Sequence, residues 1–216
     1  MEGIFGIYKP KGPTSHDIIN QFREITGIQK IGHAGTLDPL AEGVLVIAIG
    51  KNNTKKLFSL VKKEKEYLAT IKLGEESSTD DQEGEKTTFE VANPPELKEI
   101  KRIIIDFKGE IIQKPPTFSA VKISGERSYK LARKGEKPEP ASRKVIVKEI
   151  EIVDYEYPYL KLKIVTGPGV YIRSLARDIG KELEIGGYLT ELKRIRVGNF
   201  NIENSLTLDQ FKEKIT

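Results

Sequence analysis

The chain has 216 residues and no cysteine, with 36 Lys and Arg against 32 Asp and Glu, a formal net charge of +4. A chain of this length buries roughly 70% of its unfolded surface and folds without staples; the lack of cysteine excludes disulfides and thiolate metal sites. No apolar run reaches the ~18 residues of a membrane span, and the N-terminal MEGIFGIYKPKG has no signal-peptide pattern, so a soluble, cytoplasmic protein is expected.

GIFGIY reads as an opening strand and KPKGPT as a turn. Ser15 then caps a helix whose apolar face is Ile18, Ile19, Phe22 and Ile25, at a 3.6-residue period. VLVIAIG is a continuous apolar run of strand length, expected to be buried on both faces. NTKKLFSLVKK reads as a helix capped by Asn53 or Thr54. KEYLATIKLG alternates, with Tyr67, Ala69, Ile71 and Leu73 on one face of a strand. An acidic loop follows, carrying Glu75, Glu76, Asp80, Asp81, Glu83 and Glu85. PPELKEIKRIIIDFKG is a helix between Pro-Pro and Gly109, and EIIQ a strand or edge. Residues 114 to 144 read as irregular, with a short helix around SYKLARKG. KVIVKEIEIVDYEY and YLKLKIVTG form a hairpin or adjacent strands. VYIRSLARDIGKEL is a helix entered from TGPG, with Tyr171 and Arg173 in its first turn. LTELKRIRVGNF is a strand and LTLDQFKEKI a last helix. Strands and helices mix without a regular βαβ beat. The fold class expected is α/β or α+β, with a large, mostly antiparallel mixed sheet flanked by helices.

The stretch GHAGTLDPLAEG holds one acid, Asp38. Asp followed by Pro suits an N-cap and the first helical position, with PLAE as one turn ended by Gly43. A helix that short needs no cap for its own sake. Pro39 also forces Asp38 into an extended conformation, so its side chain projects from a fixed point just before a buried strand. Such loops are where catalytic groups sit. Pattern alone leaves cap and active site both open. Two histidines, His16 and His33, are too few for the three or four ligands that zinc takes, so no metal is expected. A His–Asp pair serving a serine nucleophile lacks the G-x-S-x-G elbow. The TGPG turn lacks the dinucleotide and Walker patterns, so no nucleotide cofactor is expected.

Charge is unevenly spread. Residues 122 to 148 carry nine basic and three acidic residues, and the stretch 74 to 85 is acidic throughout. Such asymmetry suits one face turned to a polyanion, or two solvated loops. A long irregular insertion in a compact domain is usually functional or disordered.

Three stretches taken together resemble the bacterial tRNA pseudouridine-55 synthase family: GIYKPKGPTSHD, KIGHAGTLDPLAEGVLVIAIGKNNTK and TGPGVYIRSLARDIG. KEYLATIKLGEESSTDDQEG and PPTFSAVKISGERSYKLARKGE are also similar to that family. The likeness covers roughly residues 3 to 200. It implies a pseudouridine synthase fold and isomerisation of a T-loop uridine, with no cofactor and no metal. The glycosidic bond breaks, the base rotates, and C5 joins C1′.

By the same resemblance Asp38 is the catalytic aspartate, attacking the uracil ring or C1′. Arg173 is its partner; an aspartate beside an arginine stays ionised at neutral pH. Tyr67 stacks on the target base near C5, and its hydroxyl is a candidate to take the C5 proton. Tyr171 and Leu192 line the base site, Lys9 supports it, and His33 enters the space that the flipped base leaves. The insertion at about 116–143 grips the T-arm through Lys122, Arg127, Lys130, Arg133, Lys134 and Arg143. The expected partner is tRNA, with no membrane and no required protein partner, and a monomer is expected. Many family members carry a C-terminal RNA-binding module. This chain ends soon after the core, which suggests a single catalytic domain over 1–216 without that module. Two rival readings remain: a non-catalytic RNA-binding protein on the same fold, and a relative working in a guide-RNA complex. Guided relatives leave the clamp's work to RNA and partners. A carboxylate-paired hydrolase lacks a second acid at convincing spacing.

Overall fold

The computed structural model describes residues 1–123 and 125–215. The elements in order are β1 (Gly3–Lys9), α1 (Ser15–Thr26), β2 (Ile31–Ala34), β3 (Ala41–Ile49), α2 (Lys51–Thr54), α3 (Leu57–Val61), β4 (Lys65–Leu73), β5 (Glu75–Ser77), β6 (Lys86–Thr88), α4 (Leu97–Asp106), β7 (Gly109–Gln113), β8 (Lys122–Ile123), β9 (Glu126–Arg127), α5 (Ser128–Arg133), β10 (Arg143–Glu156), β11 (Tyr159–Thr166), α6 (Ile172–Glu182), β12 (Gly187–Val197), β13 (Phe200–Asn201) and α7 (Leu208–Ile215). The fold is α+β with a large, mostly antiparallel mixed sheet. Two compact units form, Met1–Leu68 with Glu191–Thr216 and Ala69–Thr190. The chain leaves the first unit within β4 and returns to it within β12.

The first unit is built on β3. Apart from the half-buried Glu42 its residues are apolar or glycine and buried, because both faces and both edges are covered. β1 pairs antiparallel along one edge, from Gly3↔Ile49 to Lys9↔Gly43. The other edge is divided. β2 pairs antiparallel from Ile31↔Ile49 to Ala34↔Val46, and β12 pairs parallel from Leu192↔Ala41 to Arg194↔Gly43. Val44 and Leu45 fall in the gap between them. Ala34, Val44, Val46 and Val197 make an apolar cluster. Phe211 of α7 lies edge-on to Phe5 and 4.6 Å from Phe22 of α1, which ties the two helices to β1.

In the second unit the strand order is β4-β11-β10-β7. β10 and β11 form the expected antiparallel hairpin, and β7 pairs antiparallel with the start of β10. The alternation in β4 is realised in full: residues 65, 67, 69, 71 and 73 are buried and those between are not. α4 packs on β10 and α6. Among the described residues no helix is long and apolar enough to cross a membrane.

Several local expectations are corrected. Thr14, not Ser15, caps α1; its side chain accepts from Asp17 N while the Asp17 carboxylate accepts from Thr14 N at 2.8 Å. PLAE is not helical. Ala41 N donates to Asp38 O at 3.0 Å, so Asp38 to Ala41 is a β-turn with Pro39 in its favoured second position, and β3 starts at Ala41. The run after Gly50 breaks into α2 and α3, with no side-chain cap on either. β2 was not expected. Tyr171 is the N-cap of α6 rather than a first-turn residue. The acidic stretch is no simple solvated loop: β5 and β6 pair as a hairpin, and Asp80 and Asp81 are buried.

Candidate active site

The turn carrying Asp38 sits where the edge of β3 passes from β2 to β12, and its neighbours pin it from several sides. The Ser15 hydroxyl donates to Leu37 O and accepts from Leu37 N, both at 2.9 Å. Gly12 N donates to Pro39 O at 2.9 Å. The GHAGTLDPLAEG stretch is therefore held by backbone bonds on both sides of Asp38, and its acid leaves a fixed backbone.

Beneath this turn lie three buried cations. Lys9 is 0% exposed, and its Nζ donates to Pro10 O and Pro13 O, each at 2.8 Å. Burial lowers its pKa to about 8, with the nearby Asp38 opposing and Arg194 adding to the fall. Lys65 Nζ donates to Val61 O and Lys63 O at 2.9 Å, and burial, then the Arg194 charge, likewise bring it to about 8. Arg194, 1% exposed, is the third. Its Nε donates to Val44 O at 2.8 Å, inside the gap in the β3 edge. Its terminal nitrogens donate to Gly35 O at 3.0 Å and Thr36 O at 3.4 Å. Burial lowers its pKa, while Tyr67 and then the Asp38 charge support its ionised form.

Tyr67 and Leu192 are buried in this same unit, at 6% and 7% exposure. Burial holds the Tyr67 phenol above its ordinary value, with Arg194 opposing the rise and Asp38 adding to it. His33, on β2, is half-buried; burial and then the Arg194 charge hold its imidazole below its ordinary value. Its Nδ1 is buried with no hydrogen-bond partner among the described residues. Lys9, His33, Asp38, Tyr67 and Leu192 thus all belong to the first unit, with Arg194 at their centre. Among the described residues no three His, Asp or Glu side chains are grouped to hold a metal ion.

Tyr171 and Arg173 belong to the second unit. Gln113, fully buried, clamps Tyr171: its Oε1 accepts from Tyr171 N at 2.8 Å and its Nε2 donates to Tyr171 O at 3.1 Å. Arg173 is 6% exposed and donates to Asp81 Oδ2 at 3.1 Å, Thr79 O at 3.3 Å and Phe118 O at 2.8 Å. Arg177 pairs with Asp80 at 2.8 Å and donates to Lys114 O at 2.9 Å, and Ser174 also donates to Lys114 O. Burial raises Asp80 to about 6 in spite of the two arginines. These bonds fasten the root of the basic insertion, residues 114 to 118, to α6.

Of the six basic residues assigned to the insertion, Lys122, Arg127, Lys130, Arg133 and Lys134 are exposed. Lys134 pairs with Glu126 at 2.9 Å, and Arg133 lies over the Tyr129 ring. Arg143 is different. Its guanidinium stacks 5.2 Å from the Tyr171 ring centre and donates to Gly169 O, so it braces the TGPG turn. Sequence reasoning missed Arg194, Lys65, Gln113 and Asp81. Arg194 left one signal: it stands two residues after Leu192, in phase with a buried leucine along a strand.

The chain is similar to proteins of one kind along its whole length. A family model described as TruB family pseudouridylate synthase, N-terminal domain, matches residues 23–172. A second, described as tRNA pseudouridylate synthase B C-terminal domain, matches 173–216. The tRNA pseudouridine synthase B of Clostridium tetani is 44% identical over 214 residues, 99% of this chain and 74% of that protein. That of Streptomyces coelicolor is 42% identical, covering 100% and 74%. Among solved structures, a chain in a Cbf5–Nop10–Gar1 complex aligns with TM-score 0.77 and 31% identity over 98% of this chain. This chain spans 54% of that longer one.

Proposed function

Since the chain belongs to the TruB family of pseudouridylate synthases, we propose that it isomerises uridine to pseudouridine in tRNA, at the T-loop uridine of position 55. The observation that carries this is Asp38, held on a rigid turn in the same unit as Tyr67, Leu192 and His33.

A uridine in a folded loop must leave its stack, at a cost of a few kcal/mol. Stacking on an aromatic face returns about 1–3 kcal/mol, and Tyr67 is the aromatic group for it. Asp38 attacks C1′ or the uracil ring and the N1–C1′ bond breaks. After the base turns, C5 bonds to C1′ and the bond that Asp38 had formed breaks, its electron pair returning to the carboxylate. The C5 proton then leaves to a base, with the Tyr67 hydroxyl oxygen as the candidate to take it, the C–H electron pair restores the ring double bond, and N1 takes up a proton. Oxidation state does not change, so no redox cofactor is called for. Burial and the positive charge of Arg194 favour a neutral His33, which suits insertion among stacked bases better than a cation would. Arg173 keeps the role of Asp38's partner that the family likeness implies; Asp81, Thr79 and Phe118 fix its side chain. Leu192 lines the base site and Lys9 supports it, and the family likeness implies a base-lining task for Tyr171. Residues 116–143 grip the T-arm backbone, anchored at their root by Arg173, Ser174 and Arg177. The enzyme acts in the cytoplasm as a monomer and requires no partner protein.

The test is tritium release from T-arm RNA carrying 5-³H-uridine. Wild type releases tritium, and Asp38→Asn slows release by more than about a thousandfold. Normal turnover by the variant removes Asp38 from the chemistry. Tight RNA binding by wild type without any release replaces the isomerase with a non-catalytic RNA-binding protein.

A further inference from the structure

One buried group has no task in the bond-breaking and bond-making steps. Arg194 enters β12 opposite Gly43, in parallel register with β3. Its guanidinium then does what a missing strand would do. It bonds Val44 O in the gap between β2 and β12, and reaches across to Gly35 O and Thr36 O on the strand-to-turn segment before Asp38. The same group acts on the Tyr67 hydroxyl, whose titration it lowers. A buried arginine that donates to three carbonyls on two chain segments fixes them relative to one another.

We propose that Arg194 is a positioning residue for the isomerisation, holding the backbone that carries Asp38 in a hydrogen-bonded frame and setting its charge against the hydroxyl of Tyr67. This rests on the isomerase assignment above. The charged groups acting on Tyr67 are Arg194 from β12 and Asp38 from the turn; Lys9 of β1, Lys65 of β4 and His33 of β2 act on or feel Arg194 itself. Only Arg194 opposes the rise that burial imposes on the phenol. Without it the phenol titrates higher still, and the segment before Asp38 loses two of its carbonyl anchors. Lysine in its place keeps the charge but not the fork, so it restores part of the effect.

The test labels the tyrosines with 3-fluorotyrosine and assigns the Tyr67 fluorine signal by its loss in Tyr67→Phe. The titration of that signal is followed by NMR in wild type, Arg194→Gln and Arg194→Lys. Single-turnover tritium release is measured over the same pH range. In Arg194→Gln the Tyr67 signal titrates at higher pH, the alkaline rise of the rate moves with it, and kcat falls by about tenfold or more while KM stays within about twofold. Arg194→Lys lies between. If Arg194→Gln does not fold, the smaller upward movement in Arg194→Lys decides. A Tyr67 titration unmoved in the folded variants, or a rate lowered equally at every pH, overturns the proposal. Absence of tritium release from wild type would instead defeat the isomerase assignment, and the fluorine titration would still read the Arg194–Tyr67 link.

Discussion

Lys9, Lys65 and Arg194 are three cations taken out of water around one acid, Asp38. Burying a charge is costly unless it is hydrogen-bonded, and each of the three is bonded to backbone carbonyls. The residual cost shows in the two lysines, both lowered to about 8. It has a measurable consequence for Lys65. In the unfolded chain a lysine titrates near ~10.4. Below about 8 both states hold the proton and the folded state bears the full burial cost. Between about 8 and ~10.4 the unfolded chain binds more protons, so this lysine makes stability rise with pH, by at most about 1.4 kcal/mol per pH unit. Urea unfolding of wild type and Lys65→Met, compared at neutral and alkaline pH, will show wild type gaining on the variant as pH rises. A constant difference would mean that Lys65 is not shifted.

At the level of elements, the division of the β3 edge decides where the site lies. β2 stops at Ala34 and β12 begins pairing at Ala41, and the turn with Asp38 fills the interval. Gly43 makes the second half possible. Its φ is +109°, and a Cβ there would overlap the backbone carbonyl of Arg194. Gly12 has nearly the same φ, +107°, with open space around it. Both suffer conformational strain on substitution by alanine, of order 1–3 kcal/mol, but only Gly43→Ala adds the overlap. We expect Gly43→Ala to cost about 2 kcal/mol more than Gly12→Ala in denaturant unfolding and to lower activity, since it parts β12 from β3. Equal losses would show that the strands can separate there without penalty.

For the molecule as a whole, the near-neutral net charge hides a local concentration of basic residues in 122–148. Five of the six assigned to RNA are exposed, as binding to a phosphate backbone requires. Replacing Lys122, Arg127, Lys130 and Arg133 by serine will weaken T-arm RNA binding and flatten its salt dependence, by about 0.7–0.9 in log–log slope for each phosphate no longer neutralised. At saturating RNA, kcat stays within about twofold. An unchanged slope would move the RNA-binding surface elsewhere. Arg143 is left out of this set because it braces Gly169 and Tyr171, so its loss should disturb the TGPG turn rather than the salt slope.

Periodicity makes β4, α1, α4 and the β10–β11 hairpin legible, since one buried face per element imprints itself on local sequence. The motif stretches make the family and the constrained turn of Asp38 legible, because a rigid turn needs its glycines and proline at fixed offsets. PLAE misleads because an Asp-Pro start serves a helix and a β-turn equally well, and only the backbone bond from Ala41 to Asp38 separates them. Asp81 reads as one of several solvated acids until folding brings Arg173 to it, 92 residues along the chain. Arg194 reaches Gly35 and Val44 over 159 and 150 residues. Which segments bury a face, and which acid stands on a constrained turn, depend on neighbours a few residues away, so both are written in the local order of residues. Which cations stand beneath that acid is written nowhere locally, because a buried charge takes its partners from whatever the fold brings within hydrogen-bonding distance.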